Sequence, residues 1–316
     1  MVMIKAAVHG FGNIGRHVLD CLGTADDFEC LGVVRRAASL GKDKSDLQGN
    51  AEFSSIEELA AKNGRPDVVI LCGPSRLMPD EASVYLNKGY NTVDSFDIHG
   101  EIPALVRNLD EAARKAGRAC ITAAGWDPGT DSLFRAIFEA MAPVGTTFTN
   151  FGRGRSMGHS VAARAIPGVA DAIAITIPIG GGRHSRLVYV LPEAAEASAS
   201  VDSANRFAAI KQALAADPYF ASDPLEVREV GSERELAQVA DNSHGVLMER
   251  IGASGTASNQ RLAFDMRIDN PALTAQVLVS SARAVLRLQP GCHTLIDVPP
   301  VFMLPGDRYD NIARLV

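Results

Sequence analysis

The sequence predicts an α/β chain: a doubly wound parallel sheet over the first 125 residues, then a second α+β domain with a mixed or antiparallel sheet. Three observations carry this. Short apolar runs alternate with segments of helical period as far as Ala124, which calls for parallel strands wrapped by helices on both faces. A glycine-rich turn joins the first strand to the first helix. Beyond Gly125 the strand-like segments lengthen and helical periods thin out.

In chain order, Ile4–His9 reads as a strand and Arg16–Leu22 as a helix with apolar positions every three to four residues. Cys30–Arg35 is a second strand, Ile56–Lys62 helical, Asp67–Cys72 a strand and Glu81–Lys88 a helix. A strand ends at Thr92–Asp94, Ile102–Ala116 is helical, and Ala119–Ala124 closes the series. Later strands are expected at Thr146–Phe151, Ala172–Pro178, Leu187–Leu191, Leu225–Val230, Gly245–Ile251 and Arg261–Ile268, and one long helix at Ala272–Leu288. The reading divides the chain at 125/126, with residues 126–294 as substrate-binding and dimerisation domain. The tail from Leu295 to Val316, with its Pro299-Pro300 break, is expected to pack back on the first domain. Glu193–Ser200 and Gly180–Gly182 read as surface connection or turn.

Composition limits the function classes. The 316 residues carry 31 basic and 37 acidic side chains, a net −6 that argues against a dedicated nucleic-acid binder. The longest apolar runs, such as Val68 to Cys72, are too short to span a bilayer. Residues 1–8 lack the apolar stretch and cleavage site of a signal peptide. Five scattered cysteines without a CxxC pair fit a reducing cytoplasm rather than a disulfide framework or thiolate metal site. The seven histidines form no HExxH, and no GxSxG nucleophile elbow occurs, so no metal is expected.

Gly10-Phe11-Gly12-Asn13-Ile14-Gly15 is a GxGxxG at the end of a predicted strand and the start of a helix. In that context it reads as a Rossmann-type dinucleotide site. The first glycine makes the tight turn, the second lets a pyrophosphate approach the backbone, and the third lets helix and strand pack closely. The anion then sits on the helix N-terminal amides. NAD-binding chains usually place an acid about 20 residues beyond the glycines, for the ribose hydroxyls. Here the second strand ends in Arg35-Arg36, suited to a 2′-phosphate, which selects NADP(H) over NAD; solvated surface arginines are the bland alternative. The third strand ends in Cys72-Gly73-Pro74-Ser75-Arg76, where open α/β sheets bind ligands, and Cys72, Pro74, Ser75 and Arg76 join the expected cofactor set. Cys72 has no histidine near it in sequence, so burial is the reading for its thiol.

Two carboxylates stand just past later strand ends: Asp94 in Val93-Asp94-Ser95-Phe96-Asp97, and Asp127 beside the single tryptophan, Trp126, in Gly125-Trp126-Asp127-Pro128-Gly129. Either alone serves equally well as a turn or helix cap. Together at the sheet edge they suit a substrate ammonium. Thr176 before Ile177-Pro178 and Arg186 in His184-Ser185-Arg186 add anion-binding groups from the second domain, and His244 and Asn270 are isolated polar residues beside turns; spacing alone assigns none of the four to a ligand.

These segments, with the motifs VHGFGNIGR, GVVRR, NTVDSFDIHG, AGWDPGTDS, SMGHSVA, IPGV, TIP, HGVLMERIG, NPALTAQV and LPGDR, resemble the meso-diaminopimelate D-dehydrogenases over nearly the full chain. The resemblance implies NADP⁺-dependent oxidation of the D-centre of meso-2,6-diaminopimelate to L-2-amino-6-oxopimelate and ammonia. It implies that Asp94 and Asp127 face the reacting amine, with Trp126 walling the pocket. Phe151, Met157 and Gly158 would line the substrate, and Thr176, Arg186, His244 and Asn270 would fix the distal L-centre. The chain departs from better-known members in carrying Met157 in place of Gln and in passing from Thr176 to Arg186 in ten residues. That is similar to the shorter branch, associated with broader acceptance of 2-oxo acids, so substrate strictness is the point left open. A homodimer is expected, built on the second domain's sheet and the long helix.

Two other readings share part of the pattern. An aspartate dehydrogenase or dihydrodipicolinate reductase type of enzyme would keep the nucleotide domain without the GWDPG segment and the distal Arg186/His244 set. A non-catalytic NADP(H)-sensing module would keep Gly10–Gly15 and Arg35-Arg36 but lose the acidic pair, and both acids are present.

Overall fold

A computed structural model describes residues 3–42, 44–152, 154–180, 183–193, 203–239 and 243–316. The chain divides into two units, residues 1–136 with 271–316, and residues 137–270.

The first unit runs β1 (Ile4–His9), α1 (Asn13–Gly23), β2 (Phe28–Val34), β3 (Glu52–Phe53), α2 (Ile56–Asn63), β4 (Val68–Leu71), α3 (Met78–Asn87), β5 (Asn91–Asp94), α4 (Ile102–Ala116), β6 (Ala119–Ile121) and the first part of α5 (Thr130–Met141), which continues into the second. The second contains β7 (Val144–Phe151), β8 (Gly154–Arg155), α6 (Met157–Arg164), β9 (Val169–Gly180), β10 (Arg183–Pro192), α7 (Ser203–Ala216), β11 (Leu225–Glu229), α8 (Glu233–Val239), β12 (Ser243–Ser254) and β13 (Ala257–Asp269). The chain then returns to the first unit through α9 (Asn270–Val285), β14 (Gly291–His293), α10 (Pro300–Met303) and α11 (Arg308–Leu315).

The first unit's sheet has seven strands in the order β14-β6-β5-β4-β1-β2-β3, all paired in parallel. Ala6, Ala7 and Val8 in β1 and all four residues of β4 are fully buried, as strands covered on both faces must be. The covering helices are amphipathic: α4 buries Leu105, Leu109 and Ala113, four residues apart, and ends on Gly117 in the left-handed conformation. The strand order reverses direction between β1 and β4, and that switch point opens the crevice in which such sheets bind ligands.

The second unit holds a four-stranded sheet, β11-β10-β9-β8, and a three-stranded antiparallel sheet, β13-β12-β7. In the first, β9 and β10 form a long antiparallel hairpin and β11 adds parallel to β10. Its helices α6, α7 and α8 exceed what the sequence pattern suggested. α7 and α6 bury Ile210, Leu214 and Ala163 in one small core with Val188 and Val190 of β10. Gly181, Gly182 and residues 194–200 of the expected connections lie outside the described residues.

The long helix is where expectation and structure part. Read as belonging to the second domain and to a dimer surface, it is instead a core element of the first unit. Ten residues of α9, from Thr274 to Val285, are buried, and Ala275, Leu278 and Ala282 pack in one cluster with Val8, Ile70 and Ile121. A helix buried along most of its length is a core element. In the tail, β14 at Gly291–His293 pairs with β6, and Leu295–Asp297 forms a 3₁₀ turn. Leu295 and Val298 are nonetheless buried in the same cluster as α9.

One ion pair fastens α9 to the sheet. Arg283 donates to Asp27 through Nε (2.5 Å) and Nη2 (2.8 Å), and its guanidinium lies 4.9 Å from the centre of the Phe28 ring. Both side chains are nearly buried. Removing one partner strands the other charge, a loss of about 3–5 kcal/mol, whereas replacing both with apolar groups costs little. Arg283→Met should therefore lower unfolding free energy by that order in a denaturant titration, with Asp27→Leu/Arg283→Met recovering most of it. A single variant as stable as the parent would remove the pair from the account of stability.

Candidate functional site

At the carboxyl ends of β1 and β4 the backbone is too close-packed for side chains. Gly10 has φ +93°, and a Cβ there would stand 2.9 Å from the Cys72 carbonyl carbon. A Cβ on Gly15 would stand 2.3 Å from the Gly10 carbonyl oxygen. Gly12 has nothing within 4 Å of its Cβ position, which leaves the approach to α1 open. The helix begins there with no side-chain cap and no acid in its first turn, so its amides are available to an anion. The three glycines thus meet the turn, approach and packing requirements read from the motif.

A cavity of about 490 Å³ follows, lined by Gly10, Phe11, Gly12, Asn13 and Ile14 of the motif, and by Arg35, Arg36, Cys72 and Pro74. Gly15 lies beneath it. Ser75 and Arg76 border a second cavity of about 710 Å³ with Pro74, Phe96, Asp97 and Ile98. Cys72 is buried, and burial pushes its thiol far above the usual range, so it is inert packing.

The two arginines are not equivalent. Arg35 is 8% exposed; its Nη1 donates to Glu52 Oε2 (3.1 Å) and the Lys42 carbonyl (2.9 Å), and its guanidinium lies 5.0 Å from the Phe11 ring centre. Arg36 is exposed on the cavity wall. Both line the cavity, but Arg35 also braces the motif loop against β3, and Arg36 is the outward guanidinium. Glu52 accepts further from the Gly41 amide at 2.6 Å. Sequence reasoning missed Glu52 because its strand is only two residues long. It also missed His9, whose Nδ1 meets the Tyr85 hydroxyl (2.7 Å) and whose Nε2 faces Glu81 (3.3 Å) on the same cavity.

The two acids expected to face an amine also separate. Asp94, the last residue of β5, is 1% exposed. Its Oδ1 accepts from the Phe96 amide (3.0 Å), the Thr122 hydroxyl (2.8 Å) and the Ala123 amide (3.3 Å). Its Oδ2 is buried without a hydrogen-bond partner, and burial raises the carboxyl to about 6 against those three donors. Asp94 therefore ties the loop after β5 to the loop after β6 and is sealed from the cavities. The exposed acid of the same run is Asp97, on the wall of the second cavity. Its signal lay in the Asp-Ser-Phe-Asp run itself, in which only burial distinguishes the two acids.

Asp127 stays accessible. It follows the buried Trp126 in a loop closed by Gly125 N–H to the Pro128 carbonyl (3.0 Å) and by Asp131 N–H to the Trp126 carbonyl (3.0 Å). Gly129, at φ +145°, admits no Cβ, since one would lie 1.9 Å from the Gly125 oxygen. Burial first, then the neighbouring Asp131, raises Asp127 to about 6; His99, at 3.8 Å, opposes the shift. Asp131 is itself buried against Arg135 (2.9 Å). An accessible carboxyl poised near neutrality is what proton exchange with an amine requires.

In the second unit, hairpin register sets Thr176 directly opposite Arg186. Arg186 Nη1 donates to the Thr176 hydroxyl, and Nε donates to Asp223 Oδ2 at 2.7 Å. Gly152 brings the end of β7 against them: its φ is +121°, a Cβ would stand 2.6 Å from the Thr176 carbonyl oxygen, and its amide donates to Gly245 at 2.7 Å. Phe151, 40% exposed, precedes it, and His244 adjoins Gly245. His244 is opposite Ile268, two residues before Asn270. Burial lowers His244, with Asp269 opposing. Phe151, Thr176, Arg186 and His244 are thus gathered at one place by β7, β9, β10 and β12. Met157 and Gly158 open α6, but their side chains lie outside the described residues. Among the described residues no group of three or more His, Cys, Asp and Glu side chains is placed to hold a metal, and no helix is long and apolar enough to cross a membrane.

Residues 125–270 match the Diaminopimelic acid dehydrogenase C-terminal domain family. A meso-diaminopimelate D-dehydrogenase of Bacteroides fragilis is 46% identical over 316 residues, covering all of both chains. Among solved structures, a C. glutamicum DAP dehydrogenase in complex with DAP superposes with a TM-score of 0.73 at 28% identity, over all of both chains. An engineered D-amino acid dehydrogenase bound to NADP⁺ does so with a TM-score of 0.68 at 27% identity, again over all of both. With a glycine-shaped dinucleotide crevice in one unit and an oriented arginine in the other, the chain belongs to the meso-diaminopimelate D-dehydrogenase family.

Proposed function

We propose that this chain is an NADP-dependent dehydrogenase that reversibly deaminates the D-centre of meso-2,6-diaminopimelate, yielding L-2-amino-6-oxopimelate and ammonia. The observation that carries the reading is Asp127: a loop carboxyl raised to about 6, in the same unit as the open approach to α1 at Gly12. The open Gly12 and the uncapped helix fit a pyrophosphate, and the outward Arg36 fits a 2′-phosphate. NADP⁺, when bound, supplies the hydride acceptor.

The chain's own residues handle protons and orientation. A hydride leaves Cα only when the attached nitrogen has a lone pair to form the imine, so an ammonium must first be deprotonated. Asp127, ionised above about pH 6, takes that proton. Asp97 supplies the second accessible carboxylate. Asp94, expected from the sequence to share that role, acts as a positioning residue, because three donors and near-complete burial hold it at the end of β5. Water then adds to the imine and ammonia departs. Arg186, braced by Thr176, receives the distal carboxylate. The activity extends to reductive amination of 2-oxo acids to D-amino acids, in keeping with the short β9–β10 connection. The enzyme works in the cytoplasm, where its five free cysteines stay reduced. It dimerises through β13, which has no buried residue along its 13 positions.

NADPH absorbance with meso-, LL- and DD-diaminopimelate, then D-amino acids, tests the reading; only the meso and DD isomers carry a D-centre, and oxidation of the LL isomer would overturn it. Asp127→Asn should lower kcat by about 100- to 10,000-fold while leaving the KM for NADP⁺ nearly unchanged. In the parent enzyme kcat/KM for oxidation should fall as pH drops through about 6, because the raised carboxyl becomes protonated there. An acid limb that persists unchanged in the variant would assign the proton transfer elsewhere.

Cofactor choice separates the arginines. Arg36→Ala should raise the KM for NADP⁺ by about 10- to 100-fold, the worth of one charge-assisted contact, with little effect on NAD⁺. Arg35→Ala should chiefly lower thermal stability. Equal loss of NADP⁺ preference in both would refute the division of roles.

A further inference from the structure

Arg186 does not stand alone in the second unit. Its Nε is taken by Asp223 Oδ2 at 2.7 Å, and its Nη1 by the Thr176 hydroxyl, so an incoming carboxylate meets Nη2 and the remaining Nη1 hydrogen. The two side chains are 12% and 20% exposed, buried enough for strong electrostatics yet open to a ligand. Backbone pairing locks them together, since the Arg186 amide donates to the Pro224 carbonyl at 2.8 Å and β11 begins at Leu225 opposite Arg186. Asp223 Oδ1 has no partner among the described residues.

A carboxylate fixed beside an anion-binding arginine is a puzzle if the ligand brings only a negative charge, because Asp223 would repel it. Nearby imidazoles do not compensate. Burial first, then the Arg186 charge, hold His159 and His184 below the usual imidazole range, with Asp223 opposing both shifts. The cost disappears if the ligand carries an ammonium next to the carboxylate.

From this pairing we infer that Arg186 and Asp223 form a clamp for a zwitterionic α-amino acid end, Arg186 taking the carboxylate and Asp223 Oδ1 the ammonium. The inference rests on the proposed reaction and deepens it: selection of the distal end requires its amine as well as its acid. Asp223 is then a specificity-determining residue absent from the sequence reading.

The test uses two substrates that share the reacting D-centre and the distal carboxylate: meso-diaminopimelate, and D-2-aminopimelate, which lacks the distal ammonium. The parent enzyme should show a kcat/KM about 10- to 100-fold higher for the first, the worth of a charge-assisted hydrogen bond. Asp223→Asn should reduce that ratio to below about threefold, mainly by raising the KM for meso-diaminopimelate. A parent enzyme that treats the two alike overturns the clamp without any variant being needed. An Asp223→Asn enzyme that loses equally on both substrates reduces Asp223 to a brace for Arg186 and also overturns it. If the parent oxidises neither compound, the proposed reaction itself has failed, which is a separate result.

Discussion

The close passage of backbone against backbone at the β1–β4 switch point is the constraint on which the rest of the first unit depends. Gly15 lies where any Cβ would strike the Gly10 carbonyl, and Gly10 lies where any Cβ would strike Cys72. This contact sets the position of α1, and so where its free amides point. The open space at Gly12 and the positions of Arg36, Cys72 and Pro74 around the cavity follow from it. Arg35 and Glu52 maintain it from the other side by holding the loop after β2 against Phe11. A site for a dinucleotide pyrophosphate is built here mostly from absent side chains, and one buried ion pair keeps the loop from relaxing.

Carboxylates are then sorted by burial. Asp94 ends β5, and Asp97 and Asp127 lie in the loops that follow β5 and β6. Asp94 spends its charge on three donors of neighbouring loops and so becomes architecture. Asp127 keeps access to solvent while Asp131 and partial burial raise its carboxyl. The same physical effect, desolvation, shifts both groups to about 6, yet only Asp127 keeps contact with solvent. A perturbed carboxyl is a marker of function only when something can reach it.

Particular elements show why some of this was legible beforehand. The alternation of β1, α1, β2 and β4 was readable because fully buried parallel strands are continuous apolar runs and their helices carry an apolar stripe. The Thr176–Arg186 spacing hid a hairpin, since the register that sets them opposite one another depends on long-range pairing along β9 and β10. Helices α6, α7 and α8 are not legible in the sequence because segments rich in alanine and polar residues owe their helicity to packing more than to pattern. The affiliation of α9 is illegible for a related reason: a largely apolar helix signals burial without naming the core that receives it.

The sequence by itself determined the dinucleotide motif, the parallel sheet around it, the likeness of GWDPG and its companion segments to a family, and the absence of Asp or Glu directly after β2. These are local features, set by backbone sterics and period over a few residues. Tertiary structure alone decided that Arg36 faces outward while Arg35 is buried against Glu52, and that Asp127 and Asp97 are reachable while Asp94 is sealed. It also decided that Asp223 stands on Arg186. Each of those depends on which residues distant in the chain exclude water from a charge, and burial is a property of the packed molecule that no short stretch of sequence contains.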